Sequence, residues 1–122
     1  MIISKYVIKN PGNTNNKDFT SIKEIIDRNK LRPNETILKI DIDMDEYRIL
    51  EDILEFDFLS IIIEFTHTDL HMDKIIDFIE RLKDYKIIHI HGNNFDPPDK
   101  NGNPVKAKVP TNIIIHVNGI IL

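Results

Sequence analysis

Residues 60–65 read SIIIEF, and this stretch decides the fold. A run of isoleucine without polar alternation is typical of a strand that is buried on both faces, as the strands of a parallel sheet are. A helical pattern of isoleucine and leucine lies before this strand, and another lies after it. Because strands that alternate with helices of ~10–15 residues are joined by right-handed crossovers, the stretch predicts an α/β protein with a mostly parallel sheet.

The same alternation extends towards both ends of the chain. Ser21 and Glu24 have the spacing of a capping box, so a helix is predicted to start at Ser21. The other predicted elements are strands at 2–8, 36–42, 86–91 and 111–117 and helices at 45–55 and 72–84. The last strand follows residues 92–110, which are rich in proline, glycine and asparagine and show no helical pattern. We therefore expect the last strand to run antiparallel.

The composition excludes several classes of protein. The 122 residues are 41% hydrophobic, carry a formal net charge of −4 and include no cysteine. These values argue against a disordered chain, disulfides and thiol chemistry. The acidic balance argues against nucleic-acid partners, and no apolar run approaches the ~18 residues of a membrane span. Since the start, MIISKYVIKN, lacks the apolar core of a secretory signal, we expect one cytoplasmic domain over residues 1–122.

Acids, imidazoles and amides follow three of the predicted strands at their carboxyl ends. In an open parallel sheet, ligands bind beyond these ends. The polar residues there are Asp41 and Glu46 after the second strand, Glu64 and His67 after the third, and His89, His91, Asn93 and Asn94 at the end of the fourth. The opposite ends of the same strands carry Thr36, Ser60 and Lys86 and little else. This asymmetry predicts a binding crevice at one rim of the sheet.

His89 and His91 flank one isoleucine, so both imidazoles are predicted to point to one face of their strand, about 7 Å apart. This spacing suits two ligands of one metal ion, with Asp41, Glu64 or His67 as the third ligand. A metal-binding protein or a metal-dependent hydrolase is therefore an alternative function. The other interpretation is that His89 is a buried, hydrogen-bonded core residue and only His91 reaches the rim. Since no extended metal motif surrounds the pair, we assign no metal ligands from the sequence.

The rim aspartate also has a second interpretation. Asp41 and Lys39 lie two residues apart and share one face of their strand, where they can form an ion pair. The chain contains neither a Gly-x-Ser-x-Gly nucleophile motif nor a glycine-rich phosphate loop. The rim residues are therefore the remaining candidates for a functional site.

A longer stretch around the rim aspartate resembles a known family. Residues 38–50, LKIDIDMDEYRIL, resemble the signature of the FkbM-type S-adenosylmethionine-dependent methyltransferases, roughly L-K-I-D-I-E-G-A-E-Y-x-V-L. Residues 89–94, HIHGNN, are similar to the H-x-H-x-N-N stretch of some members. The resemblance covers nearly the whole chain, but only the C-terminal half of the family's domain. It implies a partial Rossmann-like three-layer sandwich.

The resemblance also implies a function. The family transfers a methyl group from S-adenosylmethionine to a hydroxyl, often on a sugar or another small molecule. By analogy, the base that removes the hydroxyl proton would be Asp41, His89 or His91. The candidate substrate-binding residues are Glu46, Glu64, His67, Asn93 and Asn94.

The sequence contains no counterpart of the family's first strand and glycine-rich loop, which hold the cofactor. We therefore expect no methyl transfer by this chain alone. The strand that would lie beside 36–42 in the family is missing, and an uncovered strand edge is a pairing site. We expect the strand at 2–8 or a second copy to cover that edge, and we predict a homodimer or a complementary chain. A non-catalytic, self-assembling domain is the third alternative.

Overall fold

The structure is a computed structural model, which describes residues 2–3, 20–42, 45–93, 100–103 and 112–120. The described elements are β1 (Ile2–Ile3), α1 (Ile22–Asn29), β2 (Ile37–Ile40), α2 (Leu50–Leu54), β3 (Ser60–Thr66), α3 (Thr68–Arg81), β4 (Tyr85–Asn93) and β5 (Asn112–Gly119). Short 3₁₀ helices at Pro33–Glu35 and Asp45–Arg48 precede β2 and α2. The predicted alternation of strands and helices is confirmed. Most of the predicted loop at 92–110 lies outside the described residues.

The described strands form one sheet in the order β1-β2-β3-β5-β4. β1, β2 and β3 run parallel, and β5 runs antiparallel to both β3 and β4. The prediction of a mixed α/β fold with an antiparallel last strand is therefore confirmed.

The described helices form a single layer on one face of the sheet. Arg81 of α3 forms an ion pair with Glu51 of α2, and α1 packs beside α2. The Phe78 ring of α3 meets Phe65 of β3 with ring centroids 6.2 Å apart. The strands that helices connect, β1 to β4, follow one another across the sheet in a single direction. Right-handed crossovers therefore place all these helices on the same side. Within the described residues the second helical layer of the predicted three-layer sandwich is not confirmed.

The two faces of the sheet differ in burial. The face under the helices carries the core side chains Leu38, Ile40, Ile61, Ile63, Phe65, Ile115 and Val117. The other face, which we call the histidine face, is defined by Lys39, Ile62, Glu64, His89, His91, Ile114 and His116. These side chains are half-buried or exposed. The prediction that residues 60–65 are buried on both faces is thus wrong for Ile62 and Glu64, because no described helix covers them.

Two predicted helices differ in detail from the structure. The predicted helix at 45–55 is a 3₁₀ turn followed by the five-residue α2. The predicted helix at 72–84 begins four residues earlier, at Thr68, and ends at Arg81. The capping prediction holds, because Ser21 Oγ accepts a hydrogen bond from the Glu24 amide at 3.1 Å.

The edge of β2 carries β1, which is the first of the two alternatives predicted for it. Ile2 lies opposite Lys39 and Ile3 lies opposite Ile40. None of the described helices is long and apolar enough to cross a bilayer.

Candidate functional site

Three of the predicted rim residues share one level of the sheet. Glu64 of β3 lies opposite Ile114 of β5, and Ile114 lies opposite His91 of β4. Asp41 follows Ile40, which is in register with Ile63, so Asp41 lies beside Glu64. Because side chains alternate between faces along a strand, Glu64 and His91 are on the same face. With strands about 4.8 Å apart, a gap of roughly 10 Å separates Glu64 from His91.

His89 and His91 form an exposed pair on β4. Their rings are nearly parallel, with an interplanar angle of 9° and centroids 6.2 Å apart. Both side chains are exposed, so the interpretation of His89 as a buried core residue is wrong. The prediction that both imidazoles share one face of the strand is confirmed.

Glu46 lies inside the molecule rather than on the rim surface. Its side chain is completely buried, and its Oε1 accepts hydrogen bonds from the Thr66 amide at 2.6 Å and the Thr66 hydroxyl at 2.5 Å. The second oxygen, Oε2, is buried without a hydrogen-bond partner. In this position Glu46 fixes the carboxyl end of β3 to the 3₁₀ helix, and a ligand on the surface does not reach it.

Tyr47 also connects the 3₁₀ helix to the carboxyl end of β3. Its hydroxyl donates to the Thr66 carbonyl at 2.5 Å. Its ring packs against His71 at a tilt of 36°, with centroids 4.1 Å apart, and the ammonium of Lys74 lies 5.9 Å from its centroid. Burial raises the pKa of the Tyr47 hydroxyl well above its ordinary value of 10.0, and the negative charges of Glu46 and Asp69 raise it further.

The junction between β3 and α3 has unusual backbone conformations at two histidines. His67 has φ +50° and caps α3 without a side-chain hydrogen bond, while His71 interrupts the helix with φ −129° and ψ 18°. His67 is exposed at the rim, as predicted. Asp69 lies in the first turn of α3.

The structure describes some of the amide and acidic residues predicted at the rim. Asn112 Nδ2 donates to Glu64 Oε1 at 3.3 Å, which places an amide beside the predicted carboxylate. Asn93 ends β4 opposite Asn112. Asn94 lies outside the described residues. The rim therefore carries Asp41, Glu64 and His91 at one level of the sheet, on three different strands or strand ends.

Sequence reasoning missed the residues that organise this end of the sheet. Tyr47, Thr66 and His71 were not predicted as site residues, and their contacts depend on how the 3₁₀ helix packs against β3. The one available signal was Tyr47, which lies inside the stretch that resembles the family signature. No periodicity points to a tyrosine that bonds to a backbone carbonyl 19 residues away.

The grooves on the described surface include two that do not contain the rim set. A groove of about 320 Å³ runs between α2 and α3 and is lined by Tyr47, Lys74, Asp77 and Arg81, among others. A groove of about 480 Å³ lies at the opposite end of the sheet, near Tyr85. Among the described residues no three potential metal ligands are gathered around one point. The rim is therefore an exposed set of acids and imidazoles rather than an enclosed pocket.

Comparisons with known proteins give no assignment. No protein-family model matches the chain, and no curated protein matches it significantly.

Proposed function

We propose that the chain is a truncated FkbM-type methyltransferase domain, which keeps the half of the fold that meets the acceptor and lacks the half that holds S-adenosylmethionine. The acceptor is a sugar or another small molecule with a reactive hydroxyl. The observation that carries this proposal is the common level of Glu64 and His91 on one face of the sheet, with Asp41 directly after the end of β2. Asp41 and His91 occupy positions of the stretches that resemble the family.

The chemistry of the rim supports an acceptor site. A carboxylate and two imidazoles can each accept the proton of a hydroxyl, so Asp41, His89 and His91 are the candidate bases. Glu64, whose orientation Asn112 fixes, can accept a hydrogen bond from a second hydroxyl of the same molecule. Ile114 lies between Glu64 and His91 on this face, so a sugar-sized ligand that contacts both would lie over the Ile114 side chain.

The residues present do not fit S-adenosylmethionine. The sequence has no glycine-rich turn, and Glu46 has both carboxylate oxygens buried and one bonded twice to Thr66. A buried carboxylate that is already bonded to the protein is not offered to a ligand. The proposal therefore includes no methyl transfer by the chain alone, and S-adenosylmethionine would be bound by a second polypeptide segment.

Calorimetry with S-adenosylmethionine tests whether the chain alone binds this cofactor. The chain alone is expected to give no saturable heat at micromolar concentration. Saturable micromolar binding would overturn the proposal that the donor site is absent.

A fusion tests the family itself. The N-terminal half of a full-length FkbM-type methyltransferase, joined to this chain, is expected to bind S-adenosylhomocysteine and to methylate hydroxyl acceptors. Asp41→Asn in the fusion should lower turnover while leaving S-adenosylhomocysteine binding unchanged. Asp57→Asn, at the opposite end of the sheet, is the matched control and should change neither. A folded fusion that binds no S-adenosylhomocysteine would refute the family proposal.

A further inference from the structure

We propose that His89 and His91 bind a planar aromatic ring between their two imidazoles, and that this ring is the base of a nucleoside. The proposal goes beyond the methyltransferase function, and its test does not depend on methyl transfer. The two imidazole planes are within 9° of parallel, and their centroids are 6.2 Å apart. Both side chains are exposed, and neither imidazole forms a hydrogen bond with another described residue. The faces of the two rings can therefore contact a ligand.

The geometry of a β-strand produces the spacing of the two rings. Residues two apart on a strand point to the same face and are ~6.8 Å apart along it. A planar ring that touches two others needs roughly 7 Å between them, because the atoms of touching groups are ~3.5 Å apart. The space between the His89 and His91 rings, which we call the imidazole gap, is about 0.8 Å narrower than this. Small rotations of two exposed side chains suffice to open it.

The described part of β5 leaves room for a ligand beside the imidazole gap. Ile114 lies opposite His91, and His116 lies opposite His89. The Nε2 atom of His116 lies 2.7 Å from Ser60 Oγ on β3, so the His116 ring is directed away from β4. A planar ligand that stands perpendicular to β4 in the gap can therefore extend over β5, between Ile114 and His116.

The chemistry of this surface favours an aromatic ring that carries a hydroxylated substituent. Ile114 offers an apolar contact beside the gap, and Glu64 lies opposite Ile114 on β3. The Glu64 carboxylate can accept a hydrogen bond from a ligand hydroxyl. A nucleoside combines both features, since its base is planar and its ribose carries hydroxyls. Because every base has a face that can stack, stacking alone does not select one base.

The parallel rings distinguish this interpretation from the two roles that the sequence suggested. Imidazoles that bind one metal ion direct their nitrogen atoms at a common centre, and the described residues contain no group of three possible metal ligands. A general base requires only one ring. Two rings that face each other are suited to contact through their faces.

Titration of the full chain with adenosine, followed by NMR of the histidine ring protons, tests the proposal. The ring protons of His89 and His91 should move upfield and saturate at one adenosine per chain, because each ring would lie over a face of the base. Those of His67 and His71 should stay in place. Ribose, which has no planar ring, should cause no shift. Unmoved resonances at His89 and His91, or equal shifts with ribose, would overturn the proposal.

Variants separate stacking from other contacts. His89→Ala and His91→Ala should each weaken adenosine binding at least ~5-fold, the lower end of what one stacking contact contributes. His89→Phe and His91→Phe keep a flat ring and should bind adenosine about as tightly as the unmodified chain. Lys86→Ala, which changes an exposed residue of the same strand, is the matched control and should leave the affinity unchanged. Weaker binding by the phenylalanine variants or by Lys86→Ala would show that nitrogen atoms or charge make the contact, and would overturn the proposal.

Discussion

At the scale of single residues, Glu46 is the carboxylate that holds the rim in place. It is buried, and one of its oxygens accepts both hydrogen bonds that Thr66 offers. A buried amide that has no hydrogen-bond acceptor lowers the stability of the fold. Because Glu46 supplies the acceptor for the buried Thr66 amide, it contributes more to stability than an exposed glutamate would. The family resemblance placed Glu46 among the substrate-binding residues, and the structure gives it a supporting position behind the surface.

Replacing Glu46 should destabilise the fold. Glu46→Ala removes two hydrogen bonds and leaves a cavity, so we expect a loss of about 2–4 kcal/mol in the free energy of unfolding by urea. Glu46→Gln keeps one oxygen acceptor and should lose less than Glu46→Ala. The exposed Glu35→Ala is the control, with an expected change within about 0.5 kcal/mol. Equal stability of Glu46→Ala and the unmodified chain would contradict this role.

Tyr47 predicts a pH dependence of stability at alkaline pH. Its pKa in the folded chain is raised above the ordinary value of 10.0, so folding favours the protonated hydroxyl. The associated stability is complete below that value and is lost as the pH rises above it. Urea unfolding at about pH 8 and about pH 11 should show this loss, and Tyr47→Phe should reduce it. Burial also raises the pKa of Tyr85, so part of the slope should remain in Tyr47→Phe. An unchanged slope would contradict the assignment to Tyr47.

At the scale of secondary-structure elements, the ends of α1 show how local sequence sets a helix. Ser21 caps the start through its hydroxyl, as the spacing predicted. The helix ends at Lys30, which adopts a left-handed conformation with φ 52° and ψ 43°. Glycine is the usual residue at such a position because it has no Cβ to strain the backbone.

Lys30→Gly should therefore stabilise the chain. We expect a gain of about 0.5–1 kcal/mol in the free energy of unfolding, because the backbone strain at this position is removed. Arg28→Gly, two residues earlier and inside the helix, is the matched control and should lose about 1 kcal/mol. A loss of stability in Lys30→Gly would show that the left-handed conformation is not strained here.

The elements after β2 show where the local sequence pattern predicts helix boundaries incorrectly. The spacing of Leu50, Ile53 and Leu54 predicted one helix over 45–55, but Glu46 and Tyr47 bond to Thr66 and hold that segment as a 3₁₀ turn. The start of α3 was missed because its first turn carries few apolar side chains. Long-range hydrogen bonds therefore decided the first of these two differences.

At the scale of the whole molecule, the sheet has two different edges. β1 covers part of β2, whereas no described strand lies outside β4. Ile87, Ile88 and Ile90 of β4 are between 42% and 57% exposed. Exposed apolar side chains on an edge strand favour pairing with another chain. The predicted homodimer remains a prediction, and we expect it to form through β4 rather than β2.

Charge placed on the outer strand should prevent that pairing. Ile90→Lys is expected to lower the weight-average mass of the chain in sedimentation equilibrium at micromolar concentration, because lysine on an edge strand disfavours strand addition. Ile37→Lys on β2 is the matched control and should leave the mass unchanged. A reversed result would place the interface at β2, and a monomeric unmodified chain would show that the predicted homodimer is wrong.

The sequence by itself determined the order of strands and helices, the antiparallel last strand and the grouping of acids and imidazoles at one rim. These features follow from local hydrophobic period, from capping residues and from the length of connections, all of which act between near neighbours in the chain. Only the tertiary structure decided that Glu46 is buried, that the described helices lie on one face and that His116 stands opposite His89. Those features depend on contacts between residues about 20 or more positions apart, which strand register and packing set.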